Sequence, residues 1–120
     1  MNDKIFDSEF KLMEIIWENE PVSAKKASLI AEEKIGWNKN TTYTILKKLE
    51  SKGYISREEP GFICRSLVSI DDIQRSETKG LINKLFSGSR KALFSSLLSD
   101  ESISDSELEE LKRIINERLS

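Results

Sequence analysis

The residues best suited to chemistry on a partner lie between positions 38 and 57, in the segment NKNTTYTILKKLESKGYISR. If a helix is capped by Asn40 and ended by Gly53, the segment divides into two faces. One face has the i, i+3, i+4, i+7 spacing of a buried stripe: Thr42, Ile45, Leu46 and Leu49. The opposite face combines short polar side chains, an aromatic ring and bases: Asn40, Tyr43, Thr44, Lys47 and Ser51, with Lys48 at the flank.

The chemistry that this polar face could perform is the reading of a DNA groove. Short polar side chains in the first turn can reach base edges while lysines meet phosphates. We predict base contacts from Thr41, Tyr43 and Thr44. The predicted phosphate contacts are Asn40 and the five basic residues of the segment: Lys39, Lys47, Lys48, Lys52 and Arg57. An isolated helix of this composition is more often an ordinary solvated surface, so the prediction depends on the flanking segments.

The segment after the helix predicts a β-hairpin. Residues 54–57 and 62–68 are β-prone, and the four residues between the first run and Phe62 are turn formers, including Pro60 and Gly61. A basic helix followed by a hairpin is typical of a winged helix-turn-helix, in which the hairpin is the wing.

Two helices are predicted before the basic one. The first begins near Asp7 and Ser8, ends before Pro21, and has a wide apolar arc. The second runs over 24–34, from the cap Ser23 to Gly36. Trp37 is interpreted as the anchor of the turn that follows, and residues 21–22 as a link or short edge strand. The apolar residues of the two helices are Phe6, Phe10, Leu12, Met13, Ile16 and Trp17, then Ala24, Ala27, Ile30 and Ala31.

The remainder of the chain predicts three more helices. Ser69 followed by acids starts one that runs toward Phe86, a second covers 90–98, and a third follows the capping box at Ser104 and Glu107. The predicted fold is therefore mainly α with a small β-wing. A winged helix-turn-helix domain occupies residues 1–70, and a helical dimerisation tail occupies residues 71–120.

Three amphipathic helices in about fifty residues are too few to enclose a core of their own. We therefore predict a homodimer in which residues 71–119 of two chains interlock. The alternative is a tail packed against its own winged domain. The predicted dimerisation residues are the apolar positions of these helices: Leu81, Leu85, Phe86, Leu93, Phe94, Leu97, Leu108, Leu111 and Ile115.

Charge is distributed unevenly along the chain, whose formal net charge is −2. Residues 21–57 contain eight Lys and Arg against three acids, giving +5, whereas residues 99–120 contain three bases against seven acids, giving −4. A nearly neutral protein of this kind can still present a basic face to phosphate.

Composition excludes several other classes of function. The chain has no histidine and one cysteine, and no phosphate-binding glycine loop or nucleophile elbow, so we predict no catalytic residues, no metal site and no cofactor. It also has no run of eighteen apolar residues and no signal-type start. These features predict a cytoplasmic protein with no membrane contact of its own.

Several motifs resemble the BlaI/MecI family of penicillinase repressors, which includes the CopY repressors. They are residues 9–17 in the first helix, 37–41 with Thr44 and Leu49, 52–55, 66–68 and the tail segment SDSELEEL at 104–111. The resemblance implies a dimeric transcriptional repressor on a dyad-symmetric double-stranded DNA operator of β-lactam-resistance or related genes. It also implies release by proteolysis in the tail, where the family's scissile bond aligns with Ser96 and Leu97, after a membrane sensor protease detects β-lactam and acts through a cytoplasmic step.

The chain departs from the family pattern in its wing and its tail. The wing holds Glu58, Glu59 and Pro60, and Cys64 and Arg65 replace positions that are often aromatic. The tail has no cysteine, which argues against copper sensing. Two alternatives to the operator-bound, protease-released repressor remain: a winged-helix regulator controlled by a small ligand, and a protein-interaction module that binds no DNA, which the acidic wing and negative net charge would favour.

Overall fold

The computed structural model describes residues 4–120, which form six helices and three strands in two compact units. The first unit ends at Glu77 and the second is Thr78–Ser120. The division falls inside the fourth helix, later than the boundary predicted after residue 70. In chain order the elements are α1 (Asp7–Asn19), β1 (Val22–Ser23), α2 (Ala24–Ile35), α3 (Lys39–Ser51), β2 (Ile55–Glu58), β3 (Ile63–Ser66), α4 (Ile70–Phe86), α5 (Arg90–Leu98) and α6 (Asp105–Leu119).

The first unit is a winged helix-turn-helix, as predicted. Strands β2 and β3 form the antiparallel wing, with Ile55 opposite Ser66, and β1 adds to the other edge of β3 with Val22 opposite Cys64. The short edge strand after Pro21 is thereby confirmed. The chain is mainly helical with one small sheet, which confirms the predicted fold class.

The core of the first unit forms where α1, α2, α3 and the sheet meet. Leu12, Ile16, Leu46 and Leu49 are fully buried, and each such side chain stabilises the fold by about 1.5–3 kcal/mol. The three alanines predicted on α2 are also fully buried, so small side chains allow α2 to approach its neighbours closely.

The N-terminus of α1 differs from the prediction. Phe6, predicted to belong to the core, is the N-cap residue and is 58% exposed. The first residue of the helix is Asp7, and the carboxylate of Glu9 accepts a hydrogen bond from the Phe6 backbone N–H at 2.9 Å. The cap therefore comes from the third helical residue reaching back, and neither Asp7 nor Ser8 is the N-cap. Phe10 is half-buried against the core.

Trp17 fixes the end of the wing to α1. Its indole N–H donates to the carbonyl of Val68 at 2.9 Å and to the hydroxyl of Ser66 at 3.0 Å. Glu20, just after α1, accepts from the backbone N–H of Ser66 at 2.7 Å. These contacts set the point from which the chain enters α4, where Ser69 and Asp72 cap each other's backbone N–H groups.

The second unit consists of the end of α4 with α5 and α6. The predicted capping box of Ser104 and Glu107 is present, and Ser89, which the sequence analysis did not identify as a cap, accepts from the Ala92 N–H. Gly88 separates α4 from α5, because its φ of +84° is left-handed and cannot continue a right-handed helix. The predicted limits of α5 are confirmed at both ends.

Candidate nucleic-acid interface

The two faces predicted for α3 are both present. Thr42, Ile45, Leu46 and Leu49 are buried, while Asn40, Thr44, Lys47, Lys48 and Ser51 are exposed. Thr41 and Tyr43 are half-buried at the edges of the exposed face. Because the apolar stripe fixes the rotation of the helix about its axis, the polar stripe is held outward by the fold itself.

The N-terminus of α3 lies earlier than predicted. Asn38, and not Asn40, is the N-cap: its side chain accepts from the backbone N–H of Thr41 at 2.9 Å. Both asparagines are short acceptors suited to this position, so the sequence did not distinguish them. The correction places Asn40 in the first turn with its side chain exposed, where it can contact a partner.

Tyr43 is held at the junction of α3 and the wing. Its ring meets the Phe62 ring edge to face, with 6.0 Å between centroids, and Lys39 Nζ lies 5.6 Å from the Tyr43 centroid. Phe62, the residue just before β3, is buried, and its backbone carbonyl accepts a hydrogen bond from the Ala24 N–H. Tyr43 therefore has a defined orientation before any partner binds.

The first turns of the helices carry a further signal. Among the six helices of residues 4–120, α1, α4 and α6 begin with acids, whereas α2, α3 and α5 do not. Lys25 and Lys26 lie in the first turn of α2, and Lys39 is the first residue of α3. A helix N-terminus carries partial positive charge, so bases there suit an anionic partner better than they suit the helix. Since α5 shares the pattern, charge at the first turn is not sufficient to define an interface.

Lys25 and Lys26 were counted in the predicted basic region but were not predicted as contacts. Both are exposed at the start of α2. The missing acid after Ser23 is the signal in the sequence that could have identified them as candidate phosphate ligands.

Lys52 and Arg57, two of the predicted phosphate contacts, have their charged groups engaged by other residues of the first unit. The Lys52 ammonium lies 2.8 Å from the buried carboxylate of Glu9. The Arg57 guanidinium pairs with Glu59 and lies 3.8 Å from the centroid of the Phe62 ring. Lys52 is largely shielded by these contacts, with 18% of its side chain exposed, whereas Arg57 remains an exposed residue at the surface of the wing.

The acidic wing is largely neutralised by its own arginines. Glu58 pairs with Arg65, and Glu59 pairs with Arg57. The hydrogen bond from Arg57 is the main cause that lowers the pKa of Glu59. The acids therefore compensate the bases of the same hairpin and do not form a separate negative surface.

Other kinds of site are not supported within residues 4–120. No group of three His, Cys, Asp or Glu side chains there is arranged to hold a metal ion. Cys64 is buried, and burial raises its pKa to about 11, so its thiol is unsuited to nucleophilic chemistry. No helix in the same part of the chain is long and apolar enough to cross a membrane.

Most of the predicted dimerisation residues are exposed in the single chain. Leu81, Leu85, Phe94, Leu97, Leu111 and Ile115 are exposed, whereas Phe86, Leu93 and Leu108 are half-buried. The sequence reasoning missed Ile82, which is buried. Ser96 and Leu97, the predicted proteolytic site, are both exposed and lie within α5.

Comparison with known proteins agrees with this arrangement. The family profile described as penicillinase repressor matches residues 5–117. The methicillin resistance regulatory protein MecI of Staphylococcus aureus (strain N315) is 31% identical over 117 residues, which cover 96% of this chain and 95% of MecI. The penicillinase repressor of Staphylococcus aureus is 30% identical over 112 residues, which cover 92% of this chain and 89% of that protein.

A solved structure shares the fold of the first unit. The solution structure of the DNA-binding domain of the repressor BlaI aligns with a TM-score of 0.55 at 22% identity, covering 60% of this chain and 90% of that domain. The winged-helix fold and the family match over residues 5–117 agree with each other. This chain belongs to the penicillinase repressor family.

Proposed function

We propose that this chain is a sequence-specific, dimeric DNA-binding repressor of β-lactam-resistance or related genes. The observation that carries the proposal is the exposed face of α3, where polar and basic side chains are held outward by a buried apolar stripe. The relatives named as repressors support the same function. Repressors of this family act by binding and not by catalysis.

In the proposed complex, α3 of each subunit enters a major groove. Thr41, Tyr43 and Thr44 contact base edges or thymine methyl groups. Lys39, Asn40, Lys47 and Lys48 contact phosphates, and Lys25 and Lys26 join them from the start of α2. Tyr43 reaches the groove in the orientation that Phe62 imposes on its ring.

The proposed dimer forms through the second unit. Its exposed leucines and isoleucines are unfavourable in water, and a second copy with the same surface would cover them. Obligate interfaces of this kind bury roughly 2,000 Å² or more. A two-fold dimer would set the two α3 helices about 34 Å apart, one turn of DNA, and so favour an operator with dyad symmetry.

Derepression by cleavage follows from the same arrangement. Each half-site alone has modest affinity, and the dimer converts binding of the second half-site into a local event with a high effective concentration. Cutting the exposed segment around Ser96 and Leu97 would remove that gain. Because these residues lie in a helix, a protease needs α5 to open locally before it can cut. The proposed protease step depends on a membrane sensor, as in the family.

The proposal is tested by selecting an operator from a random duplex pool and titrating the full chain against it and against random DNA. If a dimer neutralises roughly six to ten phosphates, affinity should fall about 10³- to 10⁵-fold between 50 and 200 mM salt. A chain that binds neither DNA at low salt would refute the proposal and favour the protein-interaction alternative.

Two substitutions distinguish base-specific contacts from phosphate contacts. Lys47→Ala should weaken operator and random DNA alike and lower the salt slope, because it removes a phosphate contact. Thr44→Ala should relax base preference at one position of each half-site and keep the salt slope. Equal loss on operator and random DNA for Thr44→Ala would remove Thr44 from the reading residues.

A further inference from the structure

A partly buried ion pair joins the C-terminal end of α3 to the N-terminal end of α1. Lys52 Nζ lies 2.8 Å from Glu9 Oε1, and the two side chains are 18% and 2% exposed. The same ammonium donates to the backbone carbonyl of Lys4 at 3.0 Å and lies 4.6 Å from the centroid of the Phe6 ring. Lys52 is the residue that caps the C-terminus of α3, so the contact ties the end of that helix to α1.

These contacts engage most of the Lys52 ammonium group. An ammonium has three donor positions, and two of them point at Glu9 and Lys4 while the Phe6 ring lies against the cation. Lys47 and Lys48 stand earlier on the same helix with exposed side chains. The lysines of α3 therefore differ from the lysine at its C-cap: those on the helix are exposed and suit phosphate, whereas Lys52 is turned toward α1.

Glu9 depends on that cation. Its Oε1 accepts from the Phe6 N–H as well as from Lys52, but its Oε2 is buried without a hydrogen-bond partner among residues 4–120. A buried carboxylate that loses its cation is left uncompensated, which is far more unfavourable than the removal of both charges. The stability of the contact between α1 and α3 is therefore coupled to the Lys52 side chain at the end of α3.

We propose that Lys52 is a positioning residue for DNA reading, which together with Glu9 fixes the angle of α3 against α1 and makes no phosphate contact. The inference rests on the proposed function and deepens it, because it reassigns one cation of the interface. The pair holds α3 at its far end, while the N-terminal turn of the helix carries the base-reading side chains. A change of angle at the anchored end displaces those side chains relative to the groove, so specificity falls before general DNA affinity does.

The test uses the full chain with Lys52→Met, Glu9→Gln and the double variant, and Lys47→Met as the matched control on the same helix. Each is titrated against the selected operator and random duplex over a salt series, and its Tm is measured. Lys47→Met should reduce the magnitude of the salt slope by about 0.9 for each bound subunit. Lys52→Met should leave the slope as in the parent chain and lower the operator-to-random affinity ratio roughly 2- to 30-fold.

The Tm series tests the pair independently of DNA. Lys52→Met should lower Tm by several degrees, and adding Glu9→Gln should recover most of that loss, since neither charge is then left buried alone. Because the double variant avoids the uncompensated carboxylate, it keeps the slope measurement available if Lys52→Met does not fold. The double variant should also keep the parent slope while its operator-to-random ratio stays reduced.

Two results would overturn the proposal. A slope that falls for the Lys52 variants as it does for Lys47→Met would make Lys52 a phosphate contact. An unchanged slope with an unchanged operator-to-random ratio would leave Lys52 with a purely structural role. A parent chain that binds no duplex at low salt is a different result: it refutes the proposed function, and the positioning role falls with it.

Discussion

The two units of this chain are built from the same kind of amphipathic helix, but they differ in how far their apolar side chains are buried. In the first unit Leu12, Ile16 and Leu46 are fully buried. In the second unit Phe94 is 56% exposed and Leu119 is 79% exposed. The difference shows that an apolar stripe alone does not reveal what covers it: one set of stripes is covered by its own chain, and we propose that the other is covered by a second copy.

The difference has a geometric cause. In the first unit three helices pack against one another and against a three-stranded sheet, and small alanines on α2 allow close approach. The second unit offers only helices within Thr78–Ser120, a length at which a single chain rarely closes a core. We therefore expect the first unit to fold alone and the second to fold as a dimer.

The largest expected effect comes from ending the chain at Glu77. Because Ile73 in α4 belongs to the core of the first unit, an earlier end at residue 70 would leave a gap in that core. The fragment should be folded and monomeric, and its operator affinity should be about 10²- to 10⁴-fold below that of the full chain. Analytical ultracentrifugation and anisotropy titration measure the two quantities.

Binding to a single half-site is the control for that fragment, and it should be nearly unchanged. A dimeric fragment, or one that binds the operator as tightly as the full chain, would contradict the assignment of DNA binding to the first unit and of dimerisation to the second.

Matched leucine substitutions come next. Leu46→Ala removes a fully buried side chain of α3 and should reduce the free energy of unfolding of the first unit by about 2–5 kcal/mol at any protein concentration. Leu85→Ala removes a side chain that is exposed in the single chain, so its effect should appear only where dimers form. Denaturant melts at two protein concentrations distinguish the two. Equal, concentration-independent losses would place Leu85 in a core of its own subunit.

Cys64 reports opening of the first unit specifically. Its pKa of about 11 lies above the ordinary 9.0 because the side chain is buried. At pH 8 the thiolate fraction is therefore about a hundredfold lower than in the unfolded chain, and labelling by a thiol reagent should be at least that much slower. The rate should rise with pH toward the pKa and should be equal in the full chain and the fragment ending at Glu77. A faster rate in the fragment would mean that the second unit protects the first.

Much of this arrangement was predictable because it depends on local signals. Ser23 and Ser104 each cap the helix that the sequence assigned to them, and the apolar spacing of α3 identified its buried face. The hairpin followed from the turn formers around Pro60. Caps, periodicity and turns act within a few residues, so they can be recognised without knowledge of the tertiary structure.

The features that the sequence did not show are mostly contacts between distant parts of the chain. Lys52 belongs to a basic helix by sequence, but its partner Glu9 lies 43 residues away and is visible only in the folded unit. Phe6 has the spacing of a core residue but stands before the first turn of α1. The acids of the wing suggested a protein-binding surface, yet Arg57 and Arg65 pair with them. A helical wheel assigns a side chain to a face and does not identify what lies opposite.

The smallest expected effect comes from removing one helix cap in each unit. Asn38→Ala should reduce the free energy of unfolding of the first unit by about 1 kcal/mol, because the Thr41 N–H loses its acceptor. Ser104→Ala removes the equivalent contact from the start of α6, where the Glu107 N–H is left without its cap. The two losses should be similar in size but different in kind: the first independent of protein concentration, the second growing as dilution shifts the dimer equilibrium. Thermal melts over a hundredfold dilution series measure both, and a Ser104→Ala loss that ignores dilution would show that α6 is stable without a partner.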